Sequence, residues 1–153
     1  MTETKEIRLT PISNGTVIDH LPPGTALKII EILKVEPKDA ASIAINTESR
    51  STGRKDLIML ENRFLNEQEI EKIGLIAKNA TLNTIKNRKV AEKTKIGIPK
   101  KVSGIIKCIN PKCITNAEPI NTKFYIKNEP LEATCYYCQT TMNENDIVTS
   151  IKK

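Results

Sequence analysis

The sequence predicts an α+β protein with a ferredoxin-like antiparallel sheet, two helices on one face of that sheet, and then a small all-β domain. First, strand-like and helix-like segments follow one another in the order β-α-β-β-α-β, with one extra strand. Second, the four cysteines all follow residue 107. Third, the segment 93–101 holds Gly97, Pro99 and four lysines and separates the two regions. Because 153 residues suffice for two small domains, we expect domains at 1–98 and 99–153.

The strands of the first domain are predicted from short apolar runs that end at turn residues. Gly15 closes a Ser-Asn-Gly turn, Gly53 lies in a polar loop predicted at Thr47–Arg54, and Asn87 marks a later turn. Ile43 and Ile45 alternate with small residues, which places both on one face of a strand. The predicted strands are Glu6–Ile12, Thr16–Asp19, Ala41–Asn46, Lys55–Glu61, Thr81–Ile85 and Lys89–Lys93.

The two helices are predicted from apolar spacing and from capping residues. The first begins near Thr25, runs to about Lys34, and presents Leu27, Ile30 and Leu33 as its apolar stripe. The second begins after Asn66, an N-cap residue that forms a capping box with Glu69. It ends near Ala77 and buries Ile70, Ile73 and Ala77.

The second domain is predicted to contain little besides strands. Its predicted strands are Val102–Lys107, Lys123–Lys127, Glu132–Cys135 and Asp146–Ile151. About fifty residues bury a small core, so a bound metal would supply much of the folding free energy of such a unit.

The cysteines lie at a spacing typical of metal ligands. Cys108 and Cys113 form a C-x4-C pair, and Cys135 and Cys138 form a C-x2-C pair. Two pairs on short turns can direct four thiolates to the corners of a tetrahedron, as a structural Zn²⁺ site requires. Two disulfides or a redox-active C-x-x-C are the alternatives. A site with four protein ligands leaves no open position for catalysis.

Composition limits the classes of function. The amino-terminal segment is charged, and no apolar run approaches the length of a membrane span, so we expect a cytoplasmic protein without a membrane partner. The net charge of +6 is spread along the chain, and aromatic residues make up only 3%. Dispersed charge and few aromatics argue against nucleic-acid binding, although a zinc-ribbon nucleic-acid-binding protein remains the alternative.

The sequence contains neither a P-loop nor a G-x-G-x-x-G nor a G-x-S-x-G motif. His20 is the only histidine and could form an acid/base pair with Asp19, but neighbours along a strand point to opposite faces. The charged run Gly53-Arg54-Lys55-Asp56 is typical of a hairpin end. These residues alone do not predict an enzyme.

Several motifs, in their order and spacing, resemble the regulatory chain of aspartate carbamoyltransferase over essentially the whole length. The motifs are Gly15-Thr-Val-Ile-Asp-His20, Gly53-Arg-Lys-Asp-Leu-Ile58 with Glu61-Asn62 and Phe64-Leu65, Ala80-Thr81 with Asn83 and Ile85, Cys108-Ile-Asn-Pro-Lys-Cys113, Asn116-Ala-Glu-Pro119, and Cys135-Tyr-Tyr-Cys138.

The resemblance implies a non-catalytic subunit that controls the first committed step of pyrimidine synthesis. It implies CTP as an inhibitor, ATP as an activator and UTP as a further candidate effector, all bound by the first domain. It implies a second regulatory chain as the partner of that domain, and catalytic chains as the partners of a domain with one structural Zn²⁺. In such an enzyme three regulatory dimers join two catalytic trimers.

The resemblance also implies roles for individual residues. Asp19 would accept hydrogen bonds from ribose hydroxyls, while His20 and Lys93 would face the phosphates. Met59 stands where well-known members have a lysine, and Arg88 replaces an aromatic residue, so the preference among nucleotides is open. The main chain at Thr10, Pro11 and Ile12 would meet the base edge, and Val17, Asn83, Ile85 and Val90 would line the pocket.

Overall fold

The first half of the chain forms one antiparallel sheet with two helices packed on a single face. The computed structural model describes residues 12–49 and 53–153. Most of the predicted strand Glu6–Ile12, including Thr10 and Pro11, lies outside the described residues. The five strands have the spatial order β2-β3-β1-β4-β5, as the ferredoxin-like prediction requires. The elements are β1 (Gly15–Leu21), α1 (Ala26–Ile32), β2 (Ala41–Ser49), β3 (Gly53–Glu61), α2 (Glu67–Ile76), β4 (Thr81–Lys86) and β5 (Lys89–Lys95).

The core of this sheet lies between the strands and the helices. Ile18 pairs with Ile58 on one side and with Leu82 on the other, so the three side chains share the face that the helices cover. Ile29 of α1 and Ile73 of α2 are fully buried against that face.

The predicted apolar stripe of α1 is wrong in part, because Leu27 is 63% exposed. The helix instead buries Ala26, Ile29 and Ile32, and Leu33 just after its last turn is also buried. The N–H of Ala26 donates to the buried Asp56 carboxylate, which fixes the first turn against the sheet and sets the rotation of the helix. Helix α2 has the predicted capping box of Asn66 and Glu69 and buries Ile73 and Ala77 as predicted, but Ile70 is only partly buried and Leu75 is buried instead.

The loop predicted at Thr47–Arg54 is also wrong, because β2 continues to Ser49 and β3 begins at Gly53. Asn46 adopts a left-handed backbone conformation with φ 55°, and the register between the two strands shifts there by one residue. After that bulge, the polar residues Thr47–Ser49 of β2 pair again with β3. Polar composition alone therefore suggested a loop where the chain remains extended.

The second half forms a smaller, four-stranded sheet with two short helices. The predicted strand Asp146–Ile151 is wrong, because all of its residues except Ile151 belong to a helix. Asn143 and Asp146 form a capping box, and Ile147 and Ile151, spaced by four residues, are both buried. The elements are β6 (Lys101–Ser103), α3 (Ile114–Ala117), β7 (Lys123–Lys127), β8 (Glu132–Cys135), β9 (Thr141–Met142) and α4 (Glu144–Ser150).

Strand β6 is shorter than the predicted Val102–Lys107. Gly104 has φ 71°, a conformation that ends the extended run after Ser103. Ile105 and Ile106 are nevertheless buried, and Ile106 forms an isolated bridge to Ile151.

The two halves share buried side chains. Ile32 and Leu75 come from the helices of the first half, yet they pack within the core cluster of the second. Helix α2 also passes close to the connecting segment, because a Cβ added at Gly74 would lie 2.4 Å from the carbonyl oxygen of Gly97. An ion pair joins Lys153 to Glu31. Within the described residues, no helix has the length and apolar character needed to cross a membrane.

Candidate functional site

The four predicted ligands converge at one end of the second sheet. Cys108 precedes the turn that leads to α3, Cys113 is the N-cap of α3, and Cys135 ends β8 before the turn that carries Cys138. The four sulfur atoms lie within 4.8 Å of one another, and three of the cysteines are buried. Sequence reasoning therefore identified a set of side chains that the fold brings together.

The sulfur geometry fits a tetrahedral metal better than it fits disulfides. The Sγ–Sγ distance is 3.6 Å between Cys108 and Cys138 and 3.8 Å between Cys113 and Cys135. A tetrahedron with metal–sulfur bonds of about 2.3 Å has edges of about 3.8 Å. All four cysteines are free. The C-x-x-C pair follows a strand rather than opening a helix, so it lacks the setting of a redox centre.

Backbone N–H groups donate hydrogen bonds to two of the sulfur atoms, which favours the thiolate form that a metal binds. The N–H of Asn110 points at Cys108, and those of Tyr137 and Cys138 point at Cys135. Burial raises the pKa of Cys108 to about 12. A buried thiol with so high a pKa stays protonated at neutral pH unless a bound cation stabilises the thiolate.

The thiol of Cys138 differs from that of Cys108. Burial raises its pKa, but hydrogen bonds with the hydroxyl and the backbone N–H of Thr140 bring the pKa down to about 6. Asn116 braces the other turn, since its side chain donates to the carbonyl oxygens of Cys108 and Asn110 at 3.0 and 2.7 Å. The four cysteines can hold one metal ion, and with four protein ligands a tetrahedral metal has no position open to water or substrate.

A second group of predicted residues lies on the face of the five-stranded sheet that the helices do not cover. The strand register places Val17 opposite Asn83, and Asn83 opposite Lys93. Met59 is the partner of Val17 on its other side, so these four side chains form a row across four strands. Ile85 and Val90 pair near one end of the same face, and Ile12 is half-buried before β1.

A β-bulge brings Asp19 and His20 to this face together. Ile18 pairs with Ile58 and Leu21 with Asp56, so two residues of β1 lie opposite the single residue between them on β3. His20 has φ 57°, the left-handed conformation of the bulge. The expectation that these neighbours point to opposite faces is therefore wrong, because it holds only for a regular strand.

The bulge forms a compact polar cluster. Asp19 Oδ1 accepts from the backbone N–H of His20 at 2.7 Å and from Nζ of Lys55 at 2.7 Å. Its Oδ2 lies 4.0 Å from Nδ1 of His20, and that nitrogen is 3.1 Å from the Thr81 hydroxyl. Burial raises the pKa of Asp19, but the hydrogen bonds and charge of Lys55 and the His20 N–H outweigh it, so the net pKa lies below 3.8.

Lys55 also belongs to this polar cluster, although the sequence analysis did not single it out as a candidate site residue. Its charge was attributed to a hairpin end, yet its side chain is only 20% exposed and is paired with Asp19. The alternation of β3 indicates the direction of the Lys55 side chain: Ile58 and Leu60 face the core, so the odd-numbered residues, including Lys55, face the other side of the sheet.

Asn83 carries an unused hydrogen-bonding atom at the centre of this face. Among the described residues, none donates a hydrogen bond to its buried Oδ1. A buried polar atom without a partner is costly, and a ligand with a donor group would satisfy it. The face therefore combines a carboxylate, an imidazole, lysines and an unsatisfied acceptor, a set that suits a polar anionic ligand.

Comparison with known proteins identifies both halves. Residues 7–97 match the family model described as the allosteric domain of the aspartate carbamoyltransferase regulatory chain, and residues 100–148 match its metal binding domain. The aspartate carbamoyltransferase regulatory chain of Pyrococcus abyssi is 47% identical over 150 residues, covering 95% of this chain and 99% of the relative. The regulatory chain of Pyrococcus horikoshii is 46% identical over 150 residues, again covering 95% of this chain and 99% of the relative.

A more distant relative gives the same result. The regulatory chain of Methanocaldococcus jannaschii is 42% identical over 145 residues, 94% of this chain and 97% of the relative. The likeness thus spans both sheets and the four cysteines. The chain belongs to the family of aspartate carbamoyltransferase regulatory chains, which are non-catalytic subunits with an allosteric and a metal-binding domain.

Proposed function

We propose that this chain binds nucleoside triphosphates on the helix-free face of the five-stranded sheet and passes their effect to catalytic chains. CTP inhibits and ATP activates the first committed step of pyrimidine synthesis, and UTP is a third ligand of the same site. The observation that carries the proposal is the Asn83 oxygen, which has no hydrogen-bond partner among residues 12–49 and 53–153 and lies in a row with Lys93, beside the Asp19–Lys55–His20 cluster. The allosteric domain of the family covers all of these residues.

Each side chain has a role that its chemistry supports. Lys93 and His20 face the phosphates, where an ammonium group and a ring N–H supply charge-assisted hydrogen bonds. Asp19 accepts hydrogen bonds from ribose hydroxyls. Its Oδ1 already accepts from Lys55 and from the N–H of His20, so Oδ2 is the oxygen that binds the ribose. Val17, Asn83, Ile85 and Val90 line the pocket, and the main chain at Thr10, Pro11 and Ile12 meets the base.

The metal of the second domain is Zn²⁺, one per chain, and its role is structural. Four thiolate ligands with nearly tetrahedral sulfur spacing favour zinc over harder cations, which prefer oxygen ligands. Free cysteines suit a reducing compartment, so we place the protein in the cytoplasm.

The catalytic chain of aspartate carbamoyltransferase is the partner that the family implies. We assign its contact to the metal-binding domain, residues 99–153, and the contact with a second regulatory chain to residues 1–98. All three tyrosines of the sequence lie together on the metal-binding domain, and each is 39–48% exposed. Exposed aromatic clusters are enriched at protein interfaces, which supports this assignment. Three regulatory dimers joining two catalytic trimers complete the assembly.

The test is a separate calorimetric titration of the chain with CTP, UTP and ATP, with cytidine as a control without phosphates. We expect saturable binding of the triphosphates and at least tenfold weaker binding of cytidine. Activity of the enzyme reconstituted with catalytic chains then gives the sign of each effect. Equal affinity for cytidine and CTP would refute the phosphate roles, and an activity that responds to none of the nucleotides would refute the regulatory proposal.

A further inference from the structure

Two bulges, one in each strand that pairs with β3, lie opposite the adjacent residues Leu57 and Asp56. In β1, Asp19 and His20 together oppose Leu57, because the register moves from Ile18–Ile58 to Leu21–Asp56. In β2, residues 45 and 46 together oppose Asp56, because the register moves from Ala44–Leu57 to Thr47–Lys55. The second residue of each bulge has a left-handed backbone, with φ 57° at position 20 and φ 55° at position 46. Neither is glycine, so each conformation needs support from its surroundings.

The carboxylate of Asp56 lies on the helix face and is fully buried. Its Oδ1 accepts from the N–H of Asn46 at 2.8 Å, within the β2 bulge. Its Oδ2 accepts from the N–H of Gly24 at 2.9 Å and from that of Ala26 at 3.0 Å. One side chain therefore joins the bulge of β2, the turn that follows β1, and the first residue of α1.

These contacts fix where β1 must end. Leu21 is 1% exposed and is the last residue of β1, and Gly24 follows it in a turn with φ 90°. Ile18 is also buried, so the inward-facing side chains of Ile18 and Leu21 are three residues apart in the sequence. A regular strand repeats every two residues and would turn His20 inward, so the bulge is required while Leu21 is held in the core.

We propose that Asp56 is a positioning residue of the effector site, which holds Asp19 and His20 on the ligand face by anchoring the segment after Leu21. The proposal rests on the nucleotide-binding role argued above. The carboxylate of Asp56 is buried on the opposite side of the sheet from that face, so it would act through the bulge and not by contact with a nucleotide. Its neighbour Lys55 points to the ligand face and pairs with Asp19, so adjacent residues of β3 secure the bulge from opposite sides of the sheet.

The test uses Asp56→Asn in the full chain, a substitution that keeps the size of the side chain. An amide has one acceptor oxygen where the carboxylate has two, so at least one of the three N–H groups loses its partner. His20 is the only histidine, so the imidazole signals in an NMR spectrum report on the bulge without ambiguity. We expect these signals to shift and the affinity for CTP to fall at least tenfold in the folded variant.

A control separates positioning from a general loss of stability. Ile73→Ala removes buried apolar contacts in the same domain, on a helix that supplies none of the three N–H groups bound by the Asp56 carboxylate. It should leave the imidazole signals and the CTP affinity within about twofold of wild type at a temperature where it is folded. If Asp56→Asn is folded and behaves like this control, the positioning role is overturned.

A measurement on the wild type covers the case in which Asp56→Asn does not fold. CTP binding should slow amide hydrogen exchange at Gly24, Ala26 and Asn46, because the ligand stabilises the arrangement that these N–H groups maintain. Unchanged exchange at all three positions in the CTP complex would overturn the proposal. If the wild type binds no CTP, the proposed function fails, whereas the imidazole signals of Asp56→Asn still decide whether Asp56 positions His20.

Discussion

Removing the metal should destabilise the allosteric domain as well as the metal-binding domain. Cys113→Ala or a strong chelator removes the tetrahedral site, and metal binding of this kind is worth on the order of 10 kcal/mol to a small domain. The metal-binding domain should then unfold. Ile32 and Leu75 of the allosteric domain, now 3% and 2% exposed, would lose the core into which they pack.

The magnitude follows from those two side chains. Full burial of a leucine or isoleucine contributes about 1.5–3 kcal/mol, so the allosteric domain should lose about 3–6 kcal/mol of its free energy of unfolding. For a domain of this size, such a loss lowers the melting midpoint by about 10 °C or more. Nucleotide binding should survive below that temperature, because the polar face lies on the opposite side of the sheet from Leu75.

The assay is differential scanning calorimetry of the full chain with and without chelator, alongside a count of reactive thiols and a titration with CTP. Leu75→Ala is the matched control, since it removes part of the shared core while leaving the four cysteines intact. In that variant, chelation should lower the midpoint of the allosteric domain by less than in wild type. A midpoint that chelation does not change would refute the reasoning, as would normal association of Cys113→Ala with catalytic chains.

Three further predictions concern the polar face. Lys93→Ala should weaken CTP, UTP and ATP alike by about ten- to a hundredfold in calorimetric titrations, because a charge-assisted contact contributes about 1.5–3 kcal/mol. Met59→Lys should widen the ratio of CTP to ATP affinity, because it adds an N–H donor in the row beside Val17. Asp19→Asn should be less stable than wild type at pH 7 in urea, and the gap should close as the pH falls below 3.8, because the folded pKa of Asp19 is lowered.

Each of these has an outcome that contradicts it. Lys127 is exposed on the other sheet, and Lys127→Ala should leave nucleotide affinity unchanged. A Lys93→Ala chain that loses CTP but keeps ATP would show that Lys93 reads the base. An unchanged CTP/ATP ratio in Met59→Lys would mean that this side chain does not reach the ligand. For Asp19, the lowered pKa gives stability that is present above 3.8 and is lost as the pH falls through the lower folded pKa, so a gap that does not narrow as the solution is acidified would assign the effect to another group.

Local signals in the sequence were sufficient where one short segment determines the structure. The capping box of Asn66 and Glu69 determines the start of α2, and the spacing of the cysteines predicts the four side chains that the fold brings together. The order of strands and helices predicted the ferredoxin-like sheet, because few topologies accommodate that order. Helix α4 was missed although Asn143 and Asp146 carry a capping box, since a short apolar run fits a strand and a helix equally well.

The tertiary structure decided the arrangement of the polar face and the link between the domains. Asp19 and His20 share a face because β1 has a bulge between Ile18 and Leu21, and the neighbouring contacts of Asp56 with Gly24 and Ala26 join residues far apart in the sequence. The packing of Leu75 into the second core likewise depends on how two separate sheets meet. Hydrophobic periodicity reports which side of a segment is buried, and it carries no information on which distant segment covers that side or where a strand must break its alternation.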